Sequence, residues 1–454
     1  MPKQERFIRD LTVGSVPGTL LRFALPLFLS GVLQMVYNMV DMVVVGRFVG
    51  TEGLSAVAIG GEVLQLVTFV AMGFSNAGQI LISRYVGEKR RDLVSQMVGT
   101  LFTLLLGLAV LITGVMRLGC AAILRWLNTP ADIWDYTWQY SVTCVWGIVF
   151  IYGYNLVSAI LRGMGDSRHP FQFIAIASVI NIVLDILFVG PLKLGPLGAA
   201  LATVVGQACS FVFALGLLYR NKEQFCFDFR RKSFRLHRAV LPALTALGIP
   251  MVIQSAAVTF SMLFVNAYVN SYGTTAVAVT GVARKLENMI GVVSQAMSSA
   301  GGAMVSQSLG AGKTRRVPKV MGAILWMVAV PTALFAAVTW FHPDWLFGLF
   351  SDDPAVLDMA LLYVPVAMVQ YLGCIVRPAG FALINGSGHS FMNLMVALMD
   401  GIVARIGLAL LLGVRLGWGI LGFWYGNAFA GLVPFLLGGL YLLSGRWAKR
   451  GETA

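Results

Sequence analysis

The chain has 454 residues, of which 58% are hydrophobic and only 12% charged, against about 25% charged for soluble globular domains. With a mean hydropathy of +0.80, this excludes a large soluble core and specifies an integral membrane protein. A net charge of +13 and a pI near 9.7 would suit nucleic acid or an anionic surface, and the position of the basic residues decides between these and membrane topology.

The first ten residues carry Lys3, Glu5, Arg6, Arg9 and Asp10, unlike a typical cleavable signal peptide, so the first apolar run is expected to stay in the mature protein. Crossing about 30 Å of hydrocarbon takes roughly 20 residues. Twelve runs meet this, at about 18–45, 53–82, 94–115, 134–161, 170–190, 195–218, 241–268, 275–308, 318–341, 356–384, 391–413 and 418–443. Breaks such as Gly50-Thr51, Pro130, Gly195-Pro196, Gly273 and Pro354 punctuate them. The expected organisation is an all-α polytopic protein: a six-helix lobe over 1–218, a basic linker at 219–240, a second six-helix lobe over 241–446 and a tail at 447–454.

Within the first run, QMVYNMVD places Gln34, Tyr37, Asn38 and Asp41 among Leu, Val and Met. A carboxylate at that depth costs roughly 3 kcal/mol or more and is functional by default. Pro26 removes one backbone hydrogen bond from the same run and permits a kink; the alternative is a helix start near the membrane surface, and Pro250 holds almost the same place in the seventh run. Asn155 in the fourth run lines a cavity or joins helices. In the fifth run, NIVLDILFV sets Asn181 and Asp185 four apart on one helix face, as Tyr37 and Asp41 are in the first. Thr203 in the sixth adds a hydroxyl. Two carboxylates, an amide and a hydroxyl make a nest for a hard cation such as Na⁺, or two carboxylates that share a proton.

Other intramembrane charges have simpler readings. Arg284 and Glu287, three apart, are expected to pair, and Arg377, Asp400 and Arg405 to neutralise one another in a structural or gating role. Glu62 lies near the outer end of the second run. Of the five cysteines, Cys120, Cys144, Cys209 and Cys374 lie in or beside apolar runs, no CxxC occurs, and the four histidines have no metal-ligand spacing. Neither a disulfide framework nor a zinc site is indicated. No HExxH or GxSxG motif supports an embedded enzyme.

Lys and Arg set orientation. Twenty-four of the 33 fall on one set of alternate loops, including Arg84, Lys89, Arg90 and Arg91, the central segment Arg220 to Arg238, and Lys313 to Lys319. Five fall on the other set and four within runs. Both termini are therefore expected in the cytoplasm, with Asp344, Asp352, Asp353 and Asp358 outside. The basic charge is topology, and no nucleic-acid partner is expected.

The chain also repeats itself. A shift of 223 lays Ser75, Ala77, Gly78, Ser83 and Gly87 on Ser298, Ala300, Gly301, Ser306 and Gly310, and Ala159, Gly163, Gly165 and Ser167 on Ala382, Gly386, Gly388 and Ser390. One register over separated stretches signals an internal duplication. Each half has six runs, so both insert with the same orientation about an axis along the membrane normal, with a site expected between them. At this shift Tyr37, Asp41, Asn181 and Asp185 fall on Phe260, Phe264, Ala404 and Leu408, so the polar chemistry is expected in the first half only.

Taken together, the twelve runs in two lobes, the SxAGxxxxSxxxG stretch in both copies, LRGMGDSRHP after the fourth run, and Asp41 with the fifth-run NxxxD make the chain similar to the multidrug and toxic compound extrusion (MATE) family of cation-coupled antiporters. The resemblance is to the branch whose ion site lies in the N-terminal lobe, which Asp41, Asn181, Asp185 and Thr203 match, with Pro26 at the proposed bend of the first helix. A second-lobe site is not expected, since Gln254 and Ser255 stand where another branch has an acidic residue. The resemblance implies a monomer in the plasma (inner) membrane that needs no cofactor beyond Na⁺ or H⁺ and exports organic cations or drugs. Gln34, Tyr37, Asn38 and Asn155 are the expected substrate-cavity residues. The alternative is a lipid-linked-oligosaccharide flippase of the same superfamily, which would enlist Arg284, Arg377 and Arg405 for a pyrophosphate.

Overall fold

The computed structural model describes residues 8–225 and 227–449, with the side chain of Lys449 left undescribed. Cys226, the first seven residues and the tail from 450 onward lie outside the described residues. Among those described, all regular structure is helical.

Leu, Val, Ile, Ala and Met fill the apolar runs, and in hydrocarbon a backbone with no water to bond must satisfy itself as helix. The first half forms α1 (Val16–Phe48), α2 (Thr51–Gly87), α3 (Arg91–Trp126), α4 (Trp134–Trp146), α5 (Ile148–Gly163), α6 (Arg168–Val189) and α7 (Gly195–Arg220). The second half forms α8 (Leu241–Asn270), α9 (Thr274–Gly310), α10 (Arg316–Phe341), the short α11 (Pro343–Gly348), α12 (Pro354–Ser387), α13 (Ser390–Leu398), α14 (Arg405–Leu410), α15 (Ile420–Ala430) and α16 (Val433–Leu443). A last turn, α17, spans Arg446–Lys449. Two π-helical segments, Met399–Ala404 and Leu411–Arg415, flank α14.

Among the described residues ten helical spans are long and apolar enough to cross a membrane, or eleven if α4 and α5, bent by 46° at their junction, count as one span. The expected run at 275–308 does form a helix, α9, but Arg284, Lys285 and Glu287 and a Ser-, Gln- and Gly-rich second half dilute its apolarity. By length and apolarity ten or eleven of the described helical spans therefore qualify, and α9 is the expected run that falls short.

The chain divides into two compact units. Of the described residues, 8–10 with 25–248 form the first, and 11–24 with 249–449 the second. The first helix changes unit between Ala24 and Leu25, immediately before Pro26. The segment 219–240 belongs to the first unit, where Phe227 stacks on Phe102 of α3 at 6.0 Å and meets Phe229 and Phe234 edge-on at 4.9 and 5.1 Å. The His237 backbone N–H donates to Thr100 Oγ1 at 3.1 Å. Hydrogen bonds from the Ser233 hydroxyl and the Arg230 N–H hold the Asp228 carboxyl below the usual carboxylate range. The expected linker is thus a folded basic loop fastened to α3.

The repeat is visible in packing. Helices α2 and α9 are both 37 residues long and both follow a glycine with positive φ, Gly50 at 87° and Gly273 at 96°, a conformation side chains with a Cβ rarely adopt. A Cβ on Gly163 of α5 would lie 2.8 Å from Ile82 and 3.0 Å from the Gln79 carbonyl of α2. One on Gly386 of α12 would lie 2.8 Å from the Gly302 carbonyl and from Val305 of α9. These partners are 223 apart, so the repeated small-residue stretch lets helices approach closely within each unit, the device by which membrane helices associate.

Candidate functional site

In α1, Gln34, Tyr37, Asn38 and Asp41 share one face. Gln34 and Asn38 are exposed, Tyr37 is half-buried and Asp41 is buried at 7% exposure. One turn on, Val44 and Val45 pack into a core with Val57 of α2, Tyr140 and Cys144 of α4, Val189 of α6 and Ala199 and Ala200 of α7. That wedge carries Asp41 into the interior of the first unit, where its Oδ1 has no hydrogen-bond partner.

Asn181 and Asp185 of α6 are 4% and 0% exposed. The Asn181 amide lies 3.4 Å from Thr203 Oγ1 of α7. Oriented to satisfy its neighbours, its nitrogen donates to Asp185 Oδ2 and its oxygen accepts from the Thr203 N–H, both at 3.3 Å. Asn181 therefore bridges α6 and α7 and fixes one oxygen of Asp185, leaving Oδ1 buried and without a partner. Asp41 and Asp185 lie within electrostatic range of each other, and Tyr37 within range of Asp41. Neither carboxylate forms an ion pair among the described residues. Two buried carboxylates with no basic partner among the described residues carry an uncompensated cost, since desolvating an unpaired anion takes several kcal/mol or more.

Sequence reading passed over Tyr140 and Cys144 of α4. Tyr140 is 5% exposed, lies within electrostatic range of both carboxylates, and has the Cys144 thiol within hydrogen-bonding reach of its hydroxyl. Among Thr137, Gln139, Ser141 and Thr143 of the same helix neither stands out in the sequence. Asn155 is half-buried and donates to the Ile151 carbonyl of its own helix at 2.8 Å, and so stands apart from the carboxylates' bonding. Pro26 is buried inside an unbroken α1, with the Ser30 hydroxyl on its carbonyl at 2.8 Å. No cluster of three or more His, Cys, Asp or Glu placed to hold a metal occurs among the described residues.

The second unit corrects the expected register and one expected pairing. Gly195 and Gly419 (φ 56° and 58°) and Lys193 and Gly417 (φ 52° and 70°) correspond at a shift of 224, whereas Gly165 and Gly388 (φ 87° and 69°) correspond at 223. Two π segments, Met399–Ala404 and Leu411–Arg415, lie between these regions, and a π turn accommodates one inserted residue; the close approaches of Gly198 to Phe188 and of Gly422 to Leu412, already 224 apart, put that residue at the first of them. Asn181 therefore corresponds to Arg405, not Ala404, and Asp185 to Ala409, not Leu408. In α1 and α8 the buried pairs 41/45 and 265/269 are likewise 224 apart, which sets Asp41 against Val265 rather than Phe264, and Tyr37 against Ser261 rather than Phe260. The second unit still lacks both carboxylates at these positions, but it is not apolar there. Arg377 Nη2 meets Asp400 Oδ2 at 2.8 Å and Arg405 Nη2 meets Asp400 Oδ1 at 3.1 Å, and Arg405 Nη1 donates to Asn427 Oδ1. Arg284 and Glu287 do not pair with each other; both line a cavity of roughly 40 Å³ with Asn266, Thr280, Tyr363 and Asn427.

Comparison with known proteins agrees with this duplicated architecture. The MatE family model matches residues 26–187 and again 250–411. The chain is 28% identical over 439 residues to the probable multidrug resistance protein YpnP of Bacillus subtilis, spanning 96% of this chain and 97% of the relative. It is 24% identical over 467 residues to the probable multidrug resistance protein NorM of Thermotoga maritima, spanning 99% and 96%. Among solved structures, one of MATE in the bent conformation superposes with a TM-score of 0.88 at 21% identity over 100% of both chains. An outward-facing MATE transporter of the MOP superfamily does so with 0.89 at 20% over 99% of both. With the family model covering most of both halves, the chain belongs to the MatE family of membrane transporters.

Proposed function

We propose that the chain is a secondary active antiporter that exports organic cations or drugs in exchange for Na⁺ or H⁺, with Asp41, Asp185, Asn181 and Thr203 as the coupling-ion site. The observation that carries this is the pair of buried carboxylates, each with a partnerless oxygen and neither paired with a basic side chain among the described residues. The relatives described as multidrug resistance proteins support the substrate class.

In this mechanism an entering cation or proton neutralises Asp41 and Asp185. Asn181, bonded to Asp185 and Thr203, orients the α6 carboxylate. Neutralisation removes the repulsion between the two acids and favours one conformation of α1, and only such differential binding lets an ion drive a change. Pro26, which frees one backbone hydrogen bond, is where α1 bends. Gln34, Tyr37, Asn38 and Asn155 are proposed to meet the substrate. The proposal places the chain as a monomer in the inner membrane with twelve crossings and cytoplasmic termini. The flippase reading is weaker, because Arg377 and Arg405 are engaged with Asp400 rather than free for a pyrophosphate.

The test is dye efflux from proteoliposomes with Na⁺ and pH gradients imposed separately. Asp41→Asn and Asp185→Asn should each abolish gradient-driven efflux while dye binding persists; wild-type efflux in either variant would sink the assignment.

A further inference from the structure

The second unit carries a charge cluster at the position where the first unit carries its candidate ion site. The correspondence runs residue by residue at a shift of 224: Asn181 reaches Thr203 from α6 to α7, and Arg405 reaches Asn427 from α14 to α15. The same shift carries the close approach of Gly198 to the Phe188 backbone onto that of Gly422 to the Leu412 backbone. The π segment Met399–Ala404 creates this correspondence. Without its extra residue, Ala404 would face Asn427's helix and Arg405 would turn away by about 100° of helix.

The chemistry at the two positions is opposite in one respect. In the first unit a carboxylate keeps one oxygen bare. In the second, each oxygen of the fully buried Asp400 accepts from a guanidinium group, at 2.8 and 3.1 Å, so neither oxygen is left without a partner. Arg405 is 1% exposed. Two arginines against one aspartate leave a positive charge, and Glu287, within electrostatic range of both arginines, offsets it. Ordinary structural bridging explains this poorly: Arg377 Nε and Arg405 Nε are both buried without partners, and a buried ion pair of this kind is seldom more stabilising than apolar packing.

We propose that the Arg377–Asp400–Arg405 cluster is the second unit's counterpart of the ion site, filled by guanidinium groups of the chain itself in place of an exchangeable cation. The second unit then keeps its site filled throughout the transport cycle, and each chain has one exchangeable site. The comparison with an ion site and the single exchangeable site rest on that reading of Asp41 and Asp185; the occupation of Asp400 by guanidinium groups does not. Asn427 belongs both to the cluster and to the cavity lined by Glu287 and Arg284, so a small cation in that cavity has a way to Asp400 once a guanidinium is removed.

The experiment is thermal unfolding of the full-length detergent-solubilised chain carrying Asp41→Asn and Asp185→Asn, which silences the first unit's carboxylates. In that background low-millimolar guanidinium should leave Tm unchanged. Adding Arg405→Ala should lower Tm, and guanidinium should then restore several degrees in a saturable manner. Adding Asp400→Asn should abolish the restoration. Arg377→Ala, whose side chain is 28% exposed, supplies the same measurement should Arg405→Ala fail to fold. A guanidinium response that is equal with and without the arginine, or that survives Asp400→Asn, overturns the proposal. The ion-site reading fails separately, through ion-driven efflux that persists in Asp41→Asn or Asp185→Asn with the arginines intact.

Discussion

Asn181 is the residue on which the geometry of the Asp185 carboxylate turns. Its amide has one partner on its own helix, Asp185, and one on the next, Thr203, so it both orients a carboxylate and fixes the spacing of α6 and α7. Asn181→Leu keeps the volume and removes both bonds. Groups that orient an ion's ligands are commonly worth 10–100-fold in affinity, so the variant should weaken the apparent affinity for the coupling ion by about tenfold or more, read as the ion concentration for half-maximal dye efflux, with dye affinity in equilibrium binding unchanged. Equal half-maximal concentrations in variant and wild type would remove Asn181 from the site. Asp41, Asn181 and Asp185 were legible in sequence because a polar group in a 20-residue apolar run stands out against its surroundings. Tyr140 was not, because a tyrosine in such a run is ordinary until folding sets it within range of two acids.

At the scale of helices, the close approaches of α2 to α5 and of α9 to α12 depend on atoms that are missing. A side chain at Gly163 meets Ile82 and the Gln79 carbonyl, and the Ser83 hydroxyl, bonded to the Gly163 carbonyl at 3.0 Å, loses its geometry if the helices part. Gly163→Val should therefore destabilise the protein by about 1–3 kcal/mol, as overpacking does, and lower Tm in detergent; an unchanged Tm would mean that the contact is slack. The glycines and their period were plain in the sequence. The π turn at Met399–Ala404 was not, since an insertion of one residue inside an apolar run changes neither its length class nor its hydropathy. It revealed itself only where buried positions, positive-φ residues and side-chain partners moved from a shift of 223 to one of 224.

For the whole molecule, the distribution of Lys and Arg predicts which side of the membrane each loop meets. The folded basic loop at 219–240 and the acidic group around Asp352 should lie on opposite sides. With Arg235→Cys and Asp352→Cys made separately in a background without native cysteines, an impermeant maleimide applied to intact cells should label position 352 and reach 235 only after permeabilisation. The reverse pattern would invert the topology. By itself the sequence determined the helical membrane class, the duplication and the polar residues at membrane depth, because hydrophobicity, charge and period act locally along the chain. Only the tertiary structure decided which of those residues meet. Partnership between Asn181 and Thr203, or between Asp400 and two arginines, depends on helix rotation and separation, which a single inserted residue alters by about 100° and which packing, not composition, sets.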